Sequence, residues 1–247
     1  MIAEIYGKVS SSGSNLSDRL EDQLTGDFFG AMRYIPFDIG LKKILCSESV
    51  HPLKAREIFN ECFAEDRADY ITFWPPYKDG ELDALIEMDN AVIGIEVKYR
   101  SGLSSDDDID NAENDDNSDD SSDVQNGLEL KSMEESRNQL SRESRIVKER
   151  CMGQQQGVLL FIAVDSACRA ACNDVAGRNI IDKDVLLCSI SWQDILFELK
   201  KLHVENCFQR TIIEDLISLL TKKGFEQFKD MLLDEDICIS RDNYFMF

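Results

Sequence analysis

The sequence lacks any apolar run long enough to cross a bilayer. Its longest runs, such as 158–164 (VLLFIAV), are far shorter than the roughly 20 residues of a transmembrane helix. The N-terminal stretch also lacks the basic segment and following apolar stretch of a secretory signal. We therefore expect a protein without a membrane segment that stays in the cytoplasm.

Histidine is scarce, and cysteine is present without a pattern. His51 and His203 are the only histidines, and neither stands in a Ser, Cys or Asp pattern at the spacing of a catalytic triad. The eight cysteines are scattered, and no pair has the two-residue gap of a zinc site. Cys168 and Cys172 could share a helix face, but further ligands are missing nearby. We expect reduced, mostly buried thiols.

Basic residues are outnumbered, with 27 Lys and Arg against 48 Asp and Glu and a net charge of −21. Ten of the acids lie in the segment 104–126, which has no Lys or Arg and few apolar residues, so it predicts a disordered insert. Without these ten acids the remaining chain carries −11. Asp106, Asp108 and Asp110 alternate as in an EF-hand loop, but the turn glycine and closing glutamate are missing, so we expect no calcium site.

The remaining sequence predicts an α/β protein. Apolar residues recur every four positions from Leu16 to Met32, after Asn15 as a candidate N-cap, and predict a helix over 16–34. Segments rich in helix formers predict further helices, and apolar segments between turn signals predict strands. The helices are expected at 52–64, 129–150, up to about 202, and 208–233, and the strands at 69–74, 81–88, 91–99, 157–164 and 185–192. We interpret 1–200 as one domain and 201–247 as a helical C-terminal extension.

The segment GELDALIEMDNAVIGIEVKYR predicts a β-hairpin with a charged face. If the Asp-Asn pair at 89–90 forms a two-residue turn, residues that face each other have numbers that sum to 179. Asp83 then lies opposite Glu96, and Glu81 lies opposite Lys98. Alternation places these four side chains on one face, and the other face is expected to join the core: Leu82, Ala84, Ile86, Ile93, Ile95 and Val97.

Two carboxylates that face each other need compensation. The Cβ atoms of Asp83 and Glu96 would lie roughly 5 Å apart, and like charges in this position destabilise a sheet. A hard divalent cation such as Mg²⁺ would compensate them, and Lys98 on the same face could favour hydroxide and offset charge on a phosphate. The alternative is an exposed edge hairpin with ordinary solvated charges. The spacing alone fits both interpretations.

Asp83, followed after twelve residues by Glu-Val-Lys at 96–98, resembles the PD-(D/E)XK nuclease superfamily. The predicted order of helix, three strands, helix and strand is similar to the core of that superfamily over roughly residues 15–165. The prefatory proline is absent, because Leu82 stands in its place, and the acidic insert is a second departure. The resemblance implies a restriction-endonuclease-like α/β core, in which a mixed sheet is flanked by helices.

The resemblance also implies a site for Mg²⁺ or Mn²⁺. Its ligands would be the carboxylates of Asp83 and Glu96 and the backbone carbonyl of Val97. Many members add a glutamate from the first helix, and Glu21 lies at the expected place, with Asp22 as a nearby competitor. The alternative for Glu21 is an ordinary surface acid of the helix.

The resemblance assigns residues on the predicted helix 129–150 as well. Gln139 matches a glutamine that many members carry there, and it would help to position the nucleophile or the lysine; the alternative is a generic surface residue. This helix is the most basic stretch of the sequence and predicts a phosphate-facing element, with Arg142, Arg145 and Lys148 as nucleic-acid contacts. Part of this basic character could instead serve pairing within the helix, with Glu134, Glu143 and Glu149.

The reaction that the resemblance implies is hydrolysis of phosphodiester bonds in nucleic acid, with DNA as the expected substrate. The catalytic residues would be Asp83, Glu96, Lys98 and Gln139. A chain with a charge of −21 should be repelled by DNA, so we expect a protein partner or a homo-oligomer to deliver the substrate. Analogy with such nucleases implies a role in prokaryotic defence against phage or plasmids. The rival hypothesis is a catalytically silent, acidic interaction or regulatory module.

Overall fold

The computed structural model describes residues 16–62, 70–78, 80–99 and 138–226. Asn15, the insert 104–126 and the helical predictions for 129–137 and 227–233 lie outside these residues. The helices are α1 (Leu16–Met32), α2 (Leu41–Leu45), α3 (Leu53–Glu61), α4 (Gln139–Arg150), α5 (Asp165–Arg178), α6 (Trp192–Leu199) and α7 (Cys207–Lys222). The strands are β1 (Ile71–Phe73), β2 (Pro76–Tyr77), β3 (Gly80–Glu81), β4 (Ala84–Glu87), β5 (Ala91–Val97), β6 (Gln156–Ala163) and β7 (Val185–Ser191).

Five strands form one mixed sheet, in the order β1, β4, β5, β6, β7. Strand β4 is antiparallel to both of its neighbours, β1 and β5, whereas β5, β6 and β7 run parallel to one another. The chain passes from β5 to β6 through α4 and from β6 to β7 through α5, as parallel neighbours require. The structure therefore confirms an α/β protein with a mixed sheet flanked by helices. In the described part of the chain, no helix is long and apolar enough to cross a bilayer.

The hairpin of β4 and β5 has the predicted register. Its four residue pairs, from Ala84 with Ile95 to Glu87 with Val92, have numbers that sum to 179, and Met88 N donates to Ala91 O at 2.9 Å across the turn. The ladder stops before Asp83, whose amide donates to Ile95 O at 3.1 Å. The predicted pairing of Glu81 with Lys98 is wrong, because the chain bends at Asp83 and Glu81 pairs with Pro76 in the separate β2–β3 ribbon.

Both faces of the hairpin are covered. On one face, the side chains of Ile86, Ile93 and Ile95 pack against five helices: α1, α2, α3, α6 and α7. On the other face, Leu85 and Val92 pack against α4 and α5. All seven residues of β5 are buried, so the exposed edge hairpin is excluded. The expectation of a single apolar face is also wrong: the second face is apolar except at its end. Leu82 packs in that second layer, because the bend at Asp83 interrupts the alternation.

A glycine allows α4 to lie directly on the central strand. A Cβ atom at Gly94 would collide with the side chain of Val147 on α4, so any other residue would push the helix outward. Gly94 stands two positions before Glu96 and therefore has the same facing in the strand. The close approach of α4 at Gly94 brings the N-terminal turns of this helix against the end of β5.

The helices α2 and α5 were not predicted from the sequence. The short α2 has only five residues, and α5 buries only Cys168 and Val175 along its length, so neither has a strong apolar periodicity. The described part of the C-terminal extension is helical as predicted, and α7 buries Ile213 and Leu216 in the same layer as α1. The seven described cysteines are free thiols, but only Cys62, Cys168 and Cys188 are buried, so they are less buried than expected.

Candidate active site

The end of β5 is a meeting point of helices from both sheet faces. Glu96 has the facing of Val92, which packs in the layer of α4, so its side chain lies on the α4 side. Lys98 follows the strand, and its amide donates to Ile162 O on β6 at 2.7 Å. In open α/β sheets, ligand sites form outside the carboxyl ends of the strands. The carboxyl end of β5 is therefore the expected position of a functional site.

Lys98 forms two buried ion pairs. Its Nζ lies 2.8 Å from Glu21 Oε1 and 2.7 Å from Glu96 Oε1, and the three side chains are 9%, 11% and 3% exposed. The second oxygen of Glu21 accepts a hydrogen bond from Tyr99 N at 3.0 Å. Lys98 thus connects a carboxylate of α1 with a carboxylate of the central strand.

Asp83 is held by two donors at the bend. Its Oδ2 accepts from Val97 N at 2.8 Å, and its Oδ1 accepts from the indole Nε1 of Trp74 at 3.2 Å. The Trp74 amide also donates to the Asp83 carbonyl, at 3.1 Å. Trp74 has a φ of 42°, in the left-handed region that bulky residues rarely adopt. Backbone and side chain of Trp74 together fix the position of Asp83.

The second tryptophan of the chain also contacts this region. Trp192 is fully buried at the start of α6, and its Nε1 donates to the carbonyl oxygen of Lys98 at 3.1 Å. A buried indole N–H needs an acceptor, and here the acceptor is the backbone of the lysine. Both tryptophans of the sequence therefore donate their indole hydrogen to residues of the site.

The first turns of α4 add an amide and a fourth acid. Asn138 caps the helix by accepting from Leu140 N at 3.1 Å, and Gln139 donates from Nε2 to Glu96 Oε1 at 2.5 Å. Glu143, one turn further, is 2% exposed and interacts with both Glu96 and Gln139. A hydrogen bond between the Glu96 and Glu143 carboxyl groups requires one proton between them.

Burial dominates the electrostatics of the acids. Burial raises the pKa of Asp83 well above its ordinary range, and the charge of Glu96 raises it further. Burial likewise raises the pKa of Glu96, and the charge of Glu143 adds to this effect. Burial also raises the pKa of Glu143 to about 8. Burial lowers the pKa of Lys98, but the charges of Glu96 and Glu21 outweigh it, so the pKa of the ammonium group is raised. Lys98 remains a cation among acids that resist ionisation.

The structure brings five of the predicted residues together: Glu21, Asp83, Glu96, Lys98 and Gln139. Of the two candidates on α1, Glu21 is buried and bonds with Lys98, whereas Asp22 is half-buried. Val97 lies at the end of β5, and its amide, rather than its carbonyl, contacts Asp83.

The basic residues of α4 take other positions. Lys148 forms ion pairs with Asp182 and Asp184, both at 3.1 Å, and Arg145 donates to Ser141 Oγ at 3.0 Å. Arg142 is half-buried, next to Glu143. The phosphate-facing role of these residues stays a prediction, and Lys148 would have to exchange its acidic partners for phosphate.

Sequence reasoning missed Glu143, Trp74 and Trp192. Glu143 was interpreted as a partner for the basic residues of its helix. The signal that could have found it is its spacing of four from Gln139, which places both side chains on one helix face. No sequence signal connects the two tryptophans with Asp83 and Lys98, because these contacts depend on the bend at Asp83 and on the packing of α6.

The cluster fits a hard divalent cation by chemistry rather than by a preformed cage. Among the described residues, no three Asp, Glu, Cys or His side chains are gathered as they would be around a bound metal. The acidic side chains of the site offer carboxylate oxygens, which Mg²⁺ and Mn²⁺ prefer as ligands. Glu143 Oε2 is buried without a hydrogen-bond partner in the described structure. A buried oxygen of this kind is available as a ligand.

Comparisons with known protein families, curated proteins and solved structures found no match for this chain. The resemblance to the PD-(D/E)XK superfamily therefore rests on the residues and their arrangement alone.

Proposed function

We propose that this protein is a metal-dependent nuclease that hydrolyses phosphodiester bonds, with DNA as its substrate. One observation carries the proposal: Asp83, Glu96 and Lys98 meet at the buried end of the central strand, with Glu21 and Gln139 bonded to them. A purely structural core gains nothing from several buried carboxylates around one lysine, because desolvation of the charges is costly. The arrangement also supports a restriction-endonuclease-like core for the fold.

Each residue has a role in this proposal. Asp83 and Glu96, with the Val97 carbonyl and with Glu21 directly or through water, would hold Mg²⁺ or Mn²⁺. The bound cation would polarise the phosphate and lower the pKa of a water molecule. Lys98 favours hydroxide and offsets the negative charge that develops on the phosphate oxygens. Gln139 fixes the Glu96 carboxylate and helps to position the nucleophile.

The net charge of −21 favours delivery of the substrate by a partner. Nucleic-acid affinity depends on cations that meet phosphates, and Lys148 and Arg150 on α4 are already paired with acids, Arg150 with Glu87 at 2.6 Å. We expect weak unaided binding and a requirement for a protein partner or a homo-oligomer. A place in prokaryotic defence is the analogy that accompanies this behaviour.

The test is a titration of Mg²⁺ or Mn²⁺ into the wild-type protein and into Asp83→Ala, with plasmid integrity as the measurement. Asp174→Ala is the matched control, because Asp174 is an exposed acid that pairs with Arg178 on α5. We expect cation-dependent cleavage by the wild type and the control, and a loss of roughly 10- to 100-fold or more in Asp83→Ala. Equal cleavage by all three proteins would refute the assignment.

A catalytically silent interaction module is the second candidate. The observation that favours it is the position of Lys98, whose ammonium group already compensates Glu21 and Glu96 without a metal. In that case the acidic surface would recruit a partner with a basic surface. This candidate predicts that the wild type neither binds Mg²⁺ or Mn²⁺ at Asp83 nor cleaves the plasmid, so the same titration separates the two.

A further inference from the structure

Glu143 is a buried acid for which stability offers no explanation. It lies on α4, one turn after Gln139, and is 2% exposed. Its side chain interacts with Glu96 and Gln139, but its Oε2 is buried without a hydrogen-bond partner in the described part of the chain. A buried carboxylate oxygen that lacks a donor costs its full desolvation energy, so the position is unfavourable unless another group binds there.

The cations near Glu143 do not satisfy it. Lys98 is the basic group that acts on Glu143, and its ammonium is already bonded to Glu21 and Glu96. On the same helix, Lys148 is bonded to Asp182 and Asp184. The site thus contains four carboxylates, from Glu21, Asp83, Glu96 and Glu143, around a single lysine.

We propose that Glu143 is an additional ligand of the divalent cation site, with Oε2 as the ligand atom. This inference rests on the proposed function and deepens it, because α4 then contributes a carboxylate to a site otherwise built from α1 and the β4–β5 hairpin. The close approach of α4 to β5 at Gly94 places this carboxylate next to Glu96. The sequence resemblance assigned to α4 only an amide, Gln139, and basic residues.

Calorimetric titration of Mn²⁺ in the absence of any substrate tests the inference. Glu143→Gln keeps the shape of the side chain and removes its charge. We expect it to weaken Mn²⁺ binding by at least about tenfold. In a chelator, we expect the same variant to melt at a higher temperature than the wild type, because the glutamine amide can donate to Glu96 without the proton that the two carboxyl groups must share. The rise in melting temperature that Mn²⁺ causes should be smaller in Glu143→Gln than in the wild type. Glu149→Gln, an exposed acid of the same helix, should match the wild type in all three measurements.

The outcomes separate this inference from the proposed function. Equal or tighter Mn²⁺ binding by Glu143→Gln overturns the inference and leaves the proposed function standing. Absence of Mn²⁺ binding by the wild type overturns both. If circular dichroism shows that Glu143→Gln is unfolded, Glu143→Ala is titrated against the same control, and affinity equal to that of the wild type again overturns the role of Glu143.

Discussion

The acids on the helix surfaces and the acids at the end of β5 are arranged in opposite ways. On α5, Asp165 pairs with Arg169 at 2.7 Å and Asp174 pairs with Arg178 at 3.2 Å, each with a basic residue one turn later and open to solvent. At the sheet end, Glu21 and Glu96 come from distant parts of the chain, are buried, and share one lysine. The pairs on α5 follow local helical spacing, whereas the buried cluster exists only in the folded protein.

The two groups of acids differ in what they contribute to stability. Exposed ion pairs contribute little to stability and are replaced without consequence, so their balance of charge needs no special explanation. The buried cluster has an excess of acids, and each carboxylate loses its hydration. Such an arrangement lowers stability in the absence of a compensating ligand. The excess of buried acids therefore supports the proposed cation site.

The largest effect should come from removal of the shared cation. We expect Lys98→Met to lower the free energy of unfolding by about 3–5 kcal/mol at neutral pH, because Glu21 and Glu96 lose their buried partner. Urea unfolding followed by circular dichroism measures this change. The double variant Lys98→Met with Glu21→Gln should be less destabilised than the single variant. A loss below about 1 kcal/mol for Lys98→Met would show that the buried cluster behaves like a surface pair.

A smaller effect is expected from the donor that holds Asp83. Trp74→Phe keeps an aromatic ring but removes the indole N–H, so Asp83 Oδ1 loses its donor at a cost of about 1–3 kcal/mol. Because Asp83 is then less well oriented, Mn²⁺ affinity measured by calorimetry should fall by roughly 10- to 100-fold.

Tyr70→Phe is the control for this change, because it removes a buried hydroxyl that donates to Met32 O at 3.4 Å in the same core layer. It should leave Mn²⁺ affinity unaltered. If Trp74→Phe bound Mn²⁺ as tightly as the wild type, Trp74 would contribute only to packing and not to the orientation of Asp83.

The smallest effect is expected at the surface. Arg169→Ala breaks the pair with Asp165, in which the arginine side chain is 68% exposed. We expect the free energy of unfolding to change by less than about 0.5 kcal/mol in the same urea experiment. A change as large as that of Lys98→Met would remove the distinction between the two groups of acids.

The hairpin and its register were predictable because they depend on local information. The alternation of apolar residues and the Asp-Asn turn at 89–90 were enough to place Ala84 opposite Ile95. From the same register, Asp83 and Glu96 could be expected near one another, and Lys98 followed from its position two residues later. The order of the main strands along the chain was also predictable from local patterns.

The rest depended on contacts between elements that are remote in sequence. The bend that removes Glu81 from the ladder is stabilised by Trp74 and by the Val97 amide, and neither contact has a sequence signature. Glu143 enters the site because α4 packs on Gly94, which a helical pattern does not reveal. The helix α5 was missed because it buries only one narrow side.

The positions of the two indoles have a practical consequence. Excitation of tryptophan in this protein samples only Trp74 and Trp192, and both rings are hydrogen-bonded to residues of the proposed cation site. Intrinsic emission should therefore respond to events at the sheet end without any attached dye. Replacement of Trp192 by phenylalanine would leave Trp74, beside Asp83, as the single tryptophan of the protein.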